Sequence, residues 1–161
     1  MNRRLLVPAL LSLAGLTACV PVVMTAMFAT VPQKLYFHPV TGPGAATGGT
    51  AMKGSASGVT SGSMTVTLAD GERCQGTWSR VDPAQAQREL SDAWDQVYGA
   101  GFFTRAVLGA RDRIGAKLVG DRGTVIEVAC IRPDLQGESR RRGPLQGVAR
   151  DSAGTVYKVT E

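Results

Sequence analysis

Short runs of alternating apolar and polar residues, separated by glycine-containing turns, dominate the chain from residue 64 onwards. Residues 64–68 (MTVTL) alternate, and residues 73–78 (RCQGTW) follow after Asp70-Gly71. Alternation with a period of two places every second side chain on the same face of a strand. An Asp-Gly pair between two such runs favours a two-residue β-hairpin turn. The pattern therefore predicts paired antiparallel strands.

The returning strand of this hairpin places Cys74, Gly76 and Trp78 on one face. A glycine between two larger residues indicates a bulge or the close approach of another backbone segment. We expect Trp78 to lie in the core rather than to form a platform for a ligand.

Two further hairpins follow the same pattern. Residues 116–119 are predicted to pair with residues 124–131, and residues 145–150 with residues 155–160. Glu127 is the one acid inside the strongly apolar run 124–131. Its position is that of a solvent-facing residue of an alternating strand. The alternative is that Glu127 is a catalytic acid.

One helix is predicted, at about residues 83–98. Asp82 is a suitable N-cap, Pro83 favours the first helical position, and Gly99 marks the end. Leu90, Trp94 and Val97 form an apolar stripe at helical spacing, which indicates a helix covering one face of the sheet. Residues 102–115 follow neither the helical nor the strand periodicity of apolar residues. The predicted fold class is mainly β (α+β): an antiparallel sheet or small barrel-like sheet with one covering helix.

The N-terminus carries the features of a secretory signal. Arg3 and Arg4 are followed by the uncharged apolar stretch 5–14 (LLVPALLSLA) and then by Leu16-Thr17-Ala18-Cys19. This segment resembles the signal peptide and lipobox of bacterial lipoproteins. The resemblance implies cleavage before Cys19, attachment of lipid to Cys19, and, with valine rather than aspartate at position 20, location in the outer membrane facing the periplasm. Anchoring in the inner membrane is the alternative.

A second apolar run, residues 22–31, departs from the polar tether that usually follows a lipobox. The two apolar runs together are long enough for an uncleaved transmembrane helix, but Pro8 and Pro21 oppose a continuous one. The predicted organisation is a signal peptide at 1–18, a lipidated N-terminus and tether at 19–45, and one β-rich periplasmic domain at 46–161.

The lipobox determines how many of the three cysteines remain to form a disulfide. If Cys19 carries lipid, Cys74 and Cys130 remain, and an oxidising periplasm favours a disulfide between them. It would close a loop of about 57 residues and stabilise the domain by about 4 kcal/mol. Two redox-active thiols are the alternative, but the Cys-x-x-Cys spacing is absent.

The formal charge of +5 falls to +3 once Arg3 and Arg4 are removed, which does not indicate nucleic-acid binding. The densest charge, Arg140-Arg141-Arg142, lies in a polar loop. It is a candidate site for an anionic envelope glycan, an anionic lipid or an acidic protein, and a solvated loop is the alternative.

The chain has a single histidine, His38, in the predicted tether, which argues against most metal sites and histidine-dependent mechanisms. We therefore expect no cofactor, no metal and no catalytic residue. The sequence favours a non-catalytic binding or assembly protein of the cell envelope. An inhibitor of wall hydrolases is the alternative, because lysozyme-inhibitor lipoproteins are similar in size, disulfide use and β content. A periplasmic hydrolase is a third hypothesis.

Overall fold

The computed structural model describes residues 31–42, 49–81, 90–133 and 143–161. In this part of the chain, eight antiparallel strands form a closed barrel. Each strand pairs with the next along the chain, and the last pairs with the first. The predicted mainly β fold with a barrel-like sheet is thus confirmed. The strands are β1 (Gln33–Thr41), β2 (Met52–Ala56), β3 (Ser61–Thr67), β4 (Arg73–Arg80), β5 (Asp112–Gly120), β6 (Val125–Arg132), β7 (Gln146–Asp151) and β8 (Val156–Thr160).

Strand β1 corrects the predicted domain boundary. Residues 33–41 were assigned to the tether, but they pair with β2 on one side and with β8 on the other. Leu35 and Phe37 are fully buried inside the barrel. The β-rich domain therefore begins before residue 46, because β1 supplies the strand that closes the barrel.

Three hairpins at one end of the barrel, here called the turn end, share one loop geometry. Each loop has three residues, and the backbone N–H of the residue before the loop donates to the carbonyl of the residue after it. The loops are residues 69–71, 121–123 and 152–154. The third residue of each loop is a glycine with φ between 85° and 97°, a conformation that other residues rarely adopt. The Asp70-Gly71 hairpin is confirmed, but its loop has three residues rather than the predicted two, as is common when a type I turn precedes a left-handed glycine.

A buried carboxylate joins two of these loops. Glu72 is 3% exposed and accepts a hydrogen bond from Thr124 Oγ1 at 2.6 Å. It also accepts the backbone N–H groups of Arg122 at 2.9 Å and of Thr124 at 3.1 Å. These hydrogen bonds, led by that of the Thr124 hydroxyl, hold the pKa of Glu72 below its ordinary value of 4.5.

The barrel interior is filled by alternating side chains of the strands. Trp78 lies in this core, as predicted, and its Nε1 donates to the carbonyl of Ser57 at 2.8 Å. A Cβ at Gly76 would collide with the carbonyl oxygen of Lys117, which confirms the predicted close approach of another strand. The buried core residues are Leu35, Phe37, Met52, Met64, Val66, Cys74, Trp78, Leu118, Ile126, Val128, Cys130, Leu145, Ala149, Tyr157 and Val159.

The helical segment between β4 and β5 packs on the outside of the barrel. Helix α1 (Ser91–Tyr98) and a π-helical turn (Phe103–Val107) cover outward residues of β6, β7 and β8. The helix confirms the described part of the predicted helix 83–98; residues 82–89 lie outside the described part. The second buried cluster consists of Leu90, Ala93, Trp94, Phe103, Val107, Ile131, Val148 and Val156.

Candidate functional site

An open cleft of about 680 Å³ lies on the outer face of the barrel beside the helical segment. The outward faces of β4, β5 and β6 form its floor, and the helical segment supplies a wall. We call this cleft the outer groove. Its lining includes Thr77 and Arg80 of β4, Arg113 and Lys117 of β5, Glu127 of β6 and Trp94 of α1.

Arg113 is the most unusual residue of the groove, because its side chain is cationic and the residue is only 5% exposed. Its cross-strand neighbour on β6 is Ile131, which belongs to the apolar cluster beneath α1. Among the residues that the structure describes, no group accepts a hydrogen bond from its Nη1 atom. A buried guanidinium normally has a carboxylate or carbonyl partner, and this nitrogen of a groove-lining residue lacks one.

The other charges of the groove have opposite charges nearby. Arg80 lies 3.6 Å from Asp112, with half of its side chain exposed. Lys117 on β5 lies directly opposite Glu127 on β6, so a positive and a negative side chain face each other across the strands. Arg113 therefore gives the groove its excess positive charge.

The wall of the groove is held in place by packing and by one acid. Trp94, Tyr98 and Phe102 stack on one another with ring centroids 4.7–5.9 Å apart. Burial raises the pKa of Tyr98 to about 12, and its hydroxyl donates to the carbonyl of Gly147 at 3.3 Å. Asp95 accepts the backbone N–H groups of Gly101 and Phe103, each at 2.9 Å, which fixes the chain after α1 and lowers the pKa of this carboxyl.

Smaller recesses lie at the two ends of the barrel. One, of about 330 Å³, opens beside Val59 and Arg132 at the end where β1 begins. The other, of about 320 Å³, lies at the turn end beside Thr50 and Asp151. Asp151 is engaged there, because it accepts hydrogen bonds from the Tyr157 hydroxyl at 2.6 Å and from the Thr155 N–H at 2.8 Å.

The structure places one acid singled out from the sequence, Glu127, in the outer groove. His38 is exposed on β1, where its Nε2 lies 3.4 Å from Thr160 Oγ1, and it does not line the groove. The predicted lipid site, Cys19, and the predicted anionic-partner loop, Arg140–Arg142, lie outside the described residues.

The predicted disulfide between Cys74 and Cys130 is not formed: both are buried free thiols. Cys74 is opposite Gly120 on β5, whereas Cys130 is opposite Ile114 on the same strand. Six residues of β5 separate these two levels, about 20 Å along a strand. A disulfide requires Cα atoms less than about 7 Å apart. Burial raises the pKa of the Cys130 thiol to about 12 and that of Cys74 to about 11, which disfavours the reactive thiolates.

Within the described ranges, no group of three or more His, Cys, Asp and Glu residues is arranged to hold a metal ion. No helix in these ranges has both the length and the hydropathy needed to span a membrane. Comparisons of the chain with protein families, with curated proteins and with solved structures found no match.

Sequence reasoning did not identify Arg113. Its position fits an alternating strand, in which Arg113, Gly115 and Lys117 share the outward face. On an uncovered strand this arginine would be solvated. It becomes buried where Leu90, Trp94 and Val107 of the preceding segment line the same groove, and the alternation of a single strand carries no signal for such tertiary packing.

Proposed function

We propose that this chain is a non-catalytic binding protein of the bacterial envelope. It is anchored by lipid at Cys19 to the outer membrane, faces the periplasm, and takes up its partner in the outer groove. The lipid anchor rests on the lipobox resemblance of Leu16-Thr17-Ala18-Cys19. Binding on the outside of the barrel rests on the groove and on the packed interior beneath it.

The observation that carries the proposal is the buried Nη1 of Arg113. A buried guanidinium nitrogen without an acceptor destabilises a fold. An apolar residue of similar volume would stabilise this position more. A bound partner that supplies an acceptor therefore accounts for the arginine better than a contribution to folding does.

The arrangement of side chains supports binding rather than catalysis. Glu127 faces the groove, but the described lining residues include no histidine. The cysteine of the lining, Cys130, is buried with its pKa raised to about 12, and Ser79 lies opposite Gly115 rather than Lys117. His38 lies on a different strand and face. Nucleophilic catalysis needs a nucleophile within hydrogen-bonding reach of a base.

Site-specific photocrosslinking in intact cells tests where the protein binds. A benzophenone amino acid replaces Thr77 inside the groove or, as the matched control, Arg73. The control position is four residues away on the same strand and is exposed outside the groove. We expect ultraviolet-dependent adducts at position 77 that disappear when Arg113→Met is added. Equal adducts at both positions, or none at position 77, would contradict binding in the groove.

Intact-mass measurement of the chain purified from membranes tests the anchor. The account predicts a chain that starts at Cys19 and carries the added mass of a diacylglyceryl group and an acyl chain. A Cys19→Ser variant should retain Met1. A wild-type chain that retains Met1 would exclude the lipobox interpretation.

A further inference from the structure

The charges around the outer groove determine how much anionic charge a ligand should bring. Arg80 has Asp112 beside it, and Lys117 lies opposite Glu127 in the strand register. None of the ion pairs given above joins Arg113 to a carboxylate of the described residues, and its Nη1 is unbonded. One anionic group placed against Arg113 would therefore balance the charge of the groove.

Part of the groove can take an apolar body. Val81 and Ala129 are partly exposed apolar residues of its lining, whereas Leu90, Trp94 and Val107 are almost fully buried. The groove volume of about 680 Å³ lies within the range of sites for small molecules. Hydroxyl groups of Thr77 and Ser79 add hydrogen-bonding capacity on the β4 side.

The buried position of Arg113 also defines the chemistry of recognition. A guanidinium presents parallel N–H donors that match the two oxygens of a carboxylate or phosphate group. Neutral and cationic head groups leave this charge unbalanced. The site should thus discriminate by head group more strongly than by the shape of the apolar part.

We propose that the outer groove binds a small amphiphile with a single anionic group, a carboxylate or a phosphate, which lies on Arg113 while the apolar body packs against the partly exposed Val81 and Ala129. This inference rests on the proposed function and specifies its ligand class. It requires no reaction of the ligand and no residue outside the described part of the chain.

Titration calorimetry on the full chain in a neutral sugar detergent tests the ligand class. The probes share one apolar chain and differ in the head group: octanoate, octyl phosphate, octanol and octyltrimethylammonium. Arg113→Met removes the charge at similar volume. Arg73→Met is the control, because it removes an exposed arginine of the same barrel outside the groove. Circular dichroism checks that each variant folds.

We expect octanoate or octyl phosphate to bind the wild type and Arg73→Met equally, and to bind Arg113→Met at least tenfold more weakly. The relative affinity of the two anions identifies the preferred head group. Equal affinity for octanol and octanoate in the wild type would overturn the proposal without relying on a variant, and so would unchanged affinity of Arg113→Met or no binding of either anion. If the calorimetry fails while the position-77 adducts form and depend on Arg113, binding in the groove stands and only the ligand class is wrong.

Discussion

Glu72 shows how a single buried acid holds the turn end of the barrel together. Its carboxylate accepts three hydrogen bonds from Arg122 and Thr124 on the neighbouring hairpin. The charged form makes these contacts, so folding favours ionisation and the pKa falls below 4.5. The pKa values of Asp95 and Glu161 are also lowered, in each case mainly by backbone N–H groups that donate to the carboxylate.

These lowered pKa values predict acid sensitivity. The stabilisation is complete above the unfolded-state pKa values of about 4 to 4.5. It is lost as the pH falls through the lower folded-state values, because the unfolded chain then binds more protons than the folded one. Urea unfolding at pH 7, 4.5 and 3 should show a progressively lower free energy of unfolding. Glu72→Gln should lower the melting temperature at pH 7 by about 5 °C or more and weaken the pH dependence.

Glu127→Gln is the control for this prediction, since Glu127 accepts none of the hydrogen bonds at the turn end. It should leave the melting temperature at pH 7 nearly unchanged. A Glu72→Gln variant as stable at pH 7 as the wild type would show that the buried carboxylate does not hold the two loops.

The two cysteines of the domain give a second prediction for individual residues. Cys74 and Cys130 are buried thiols about 20 Å apart along the strands. Without reductant, N-ethylmaleimide should label neither in the folded protein and both after unfolding in guanidinium. Peptide mass analysis distinguishes the two sites from Cys19. Failure to label either cysteine in the unfolded chain would show that a disulfide had formed.

Single residues differed in how far the sequence predicted their roles. The close approach at Gly76 was predictable, because a glycine between Cys74 and Trp78 leaves room for the backbone of a neighbouring strand. The role of Glu72 was not predicted, since its partners belong to a hairpin about fifty residues away. The disulfide prediction failed because counting cysteines gives no information on strand register.

Helix α1 illustrates what an element contributes beyond its own sequence. Its eight residues would not form a stable helix alone in water. Burial of Trp94 against Ile131 and Val148 supplies the stabilisation, because Trp94 is only 1% exposed. The same packing covers the outer face of the barrel and forms one wall of the outer groove. The apolar stripe of the sequence predicted a covering helix, but not which strands it covers.

Removing the Trp94 side chain should therefore destabilise the whole domain. Trp94→Ala is expected to lower the free energy of unfolding by about 3–5 kcal/mol, as for other large-to-small substitutions in a core. Gln96→Ala, at an exposed position of the same helix, should change it by less than about 0.5 kcal/mol. Guanidinium unfolding monitored by circular dichroism measures both. Equal, small effects would show that α1 is not docked on the barrel.

At the scale of the whole molecule, the hairpins could be predicted from the sequence, but the closure of the barrel could not. Each predicted hairpin joins neighbouring strands, so local alternation and turn glycines were sufficient to identify it. Closure depends on β1 and β8, in which Tyr36 pairs with Thr160 from the opposite end of the chain. β2 and the start of β3 lie within the glycine-rich residues 41–62, where few side chains are large enough to give a strand its apolar–polar alternation.

Closure also determines where a ligand can bind. Because side chains such as Phe37 and Leu118 occupy the interior, we propose that a ligand binds on the outside of the barrel. The outer groove combines an open cleft with a buried, unbonded Nη1 atom of Arg113. Its existence depends on three strands and the helical segment together, so it is a property of the assembled molecule rather than of any one element.

Nuclear magnetic resonance on the full chain, isotopically labelled and held in a neutral detergent, tests this claim most directly. On titration with octanoate, the account predicts chemical-shift changes at the amides of Arg113 and Lys117 and at the indole N–H of Trp94. Leu35 and Phe37, inside the barrel, should not change. Shifts confined to these interior residues, or an unperturbed Arg113, would contradict binding in the outer groove.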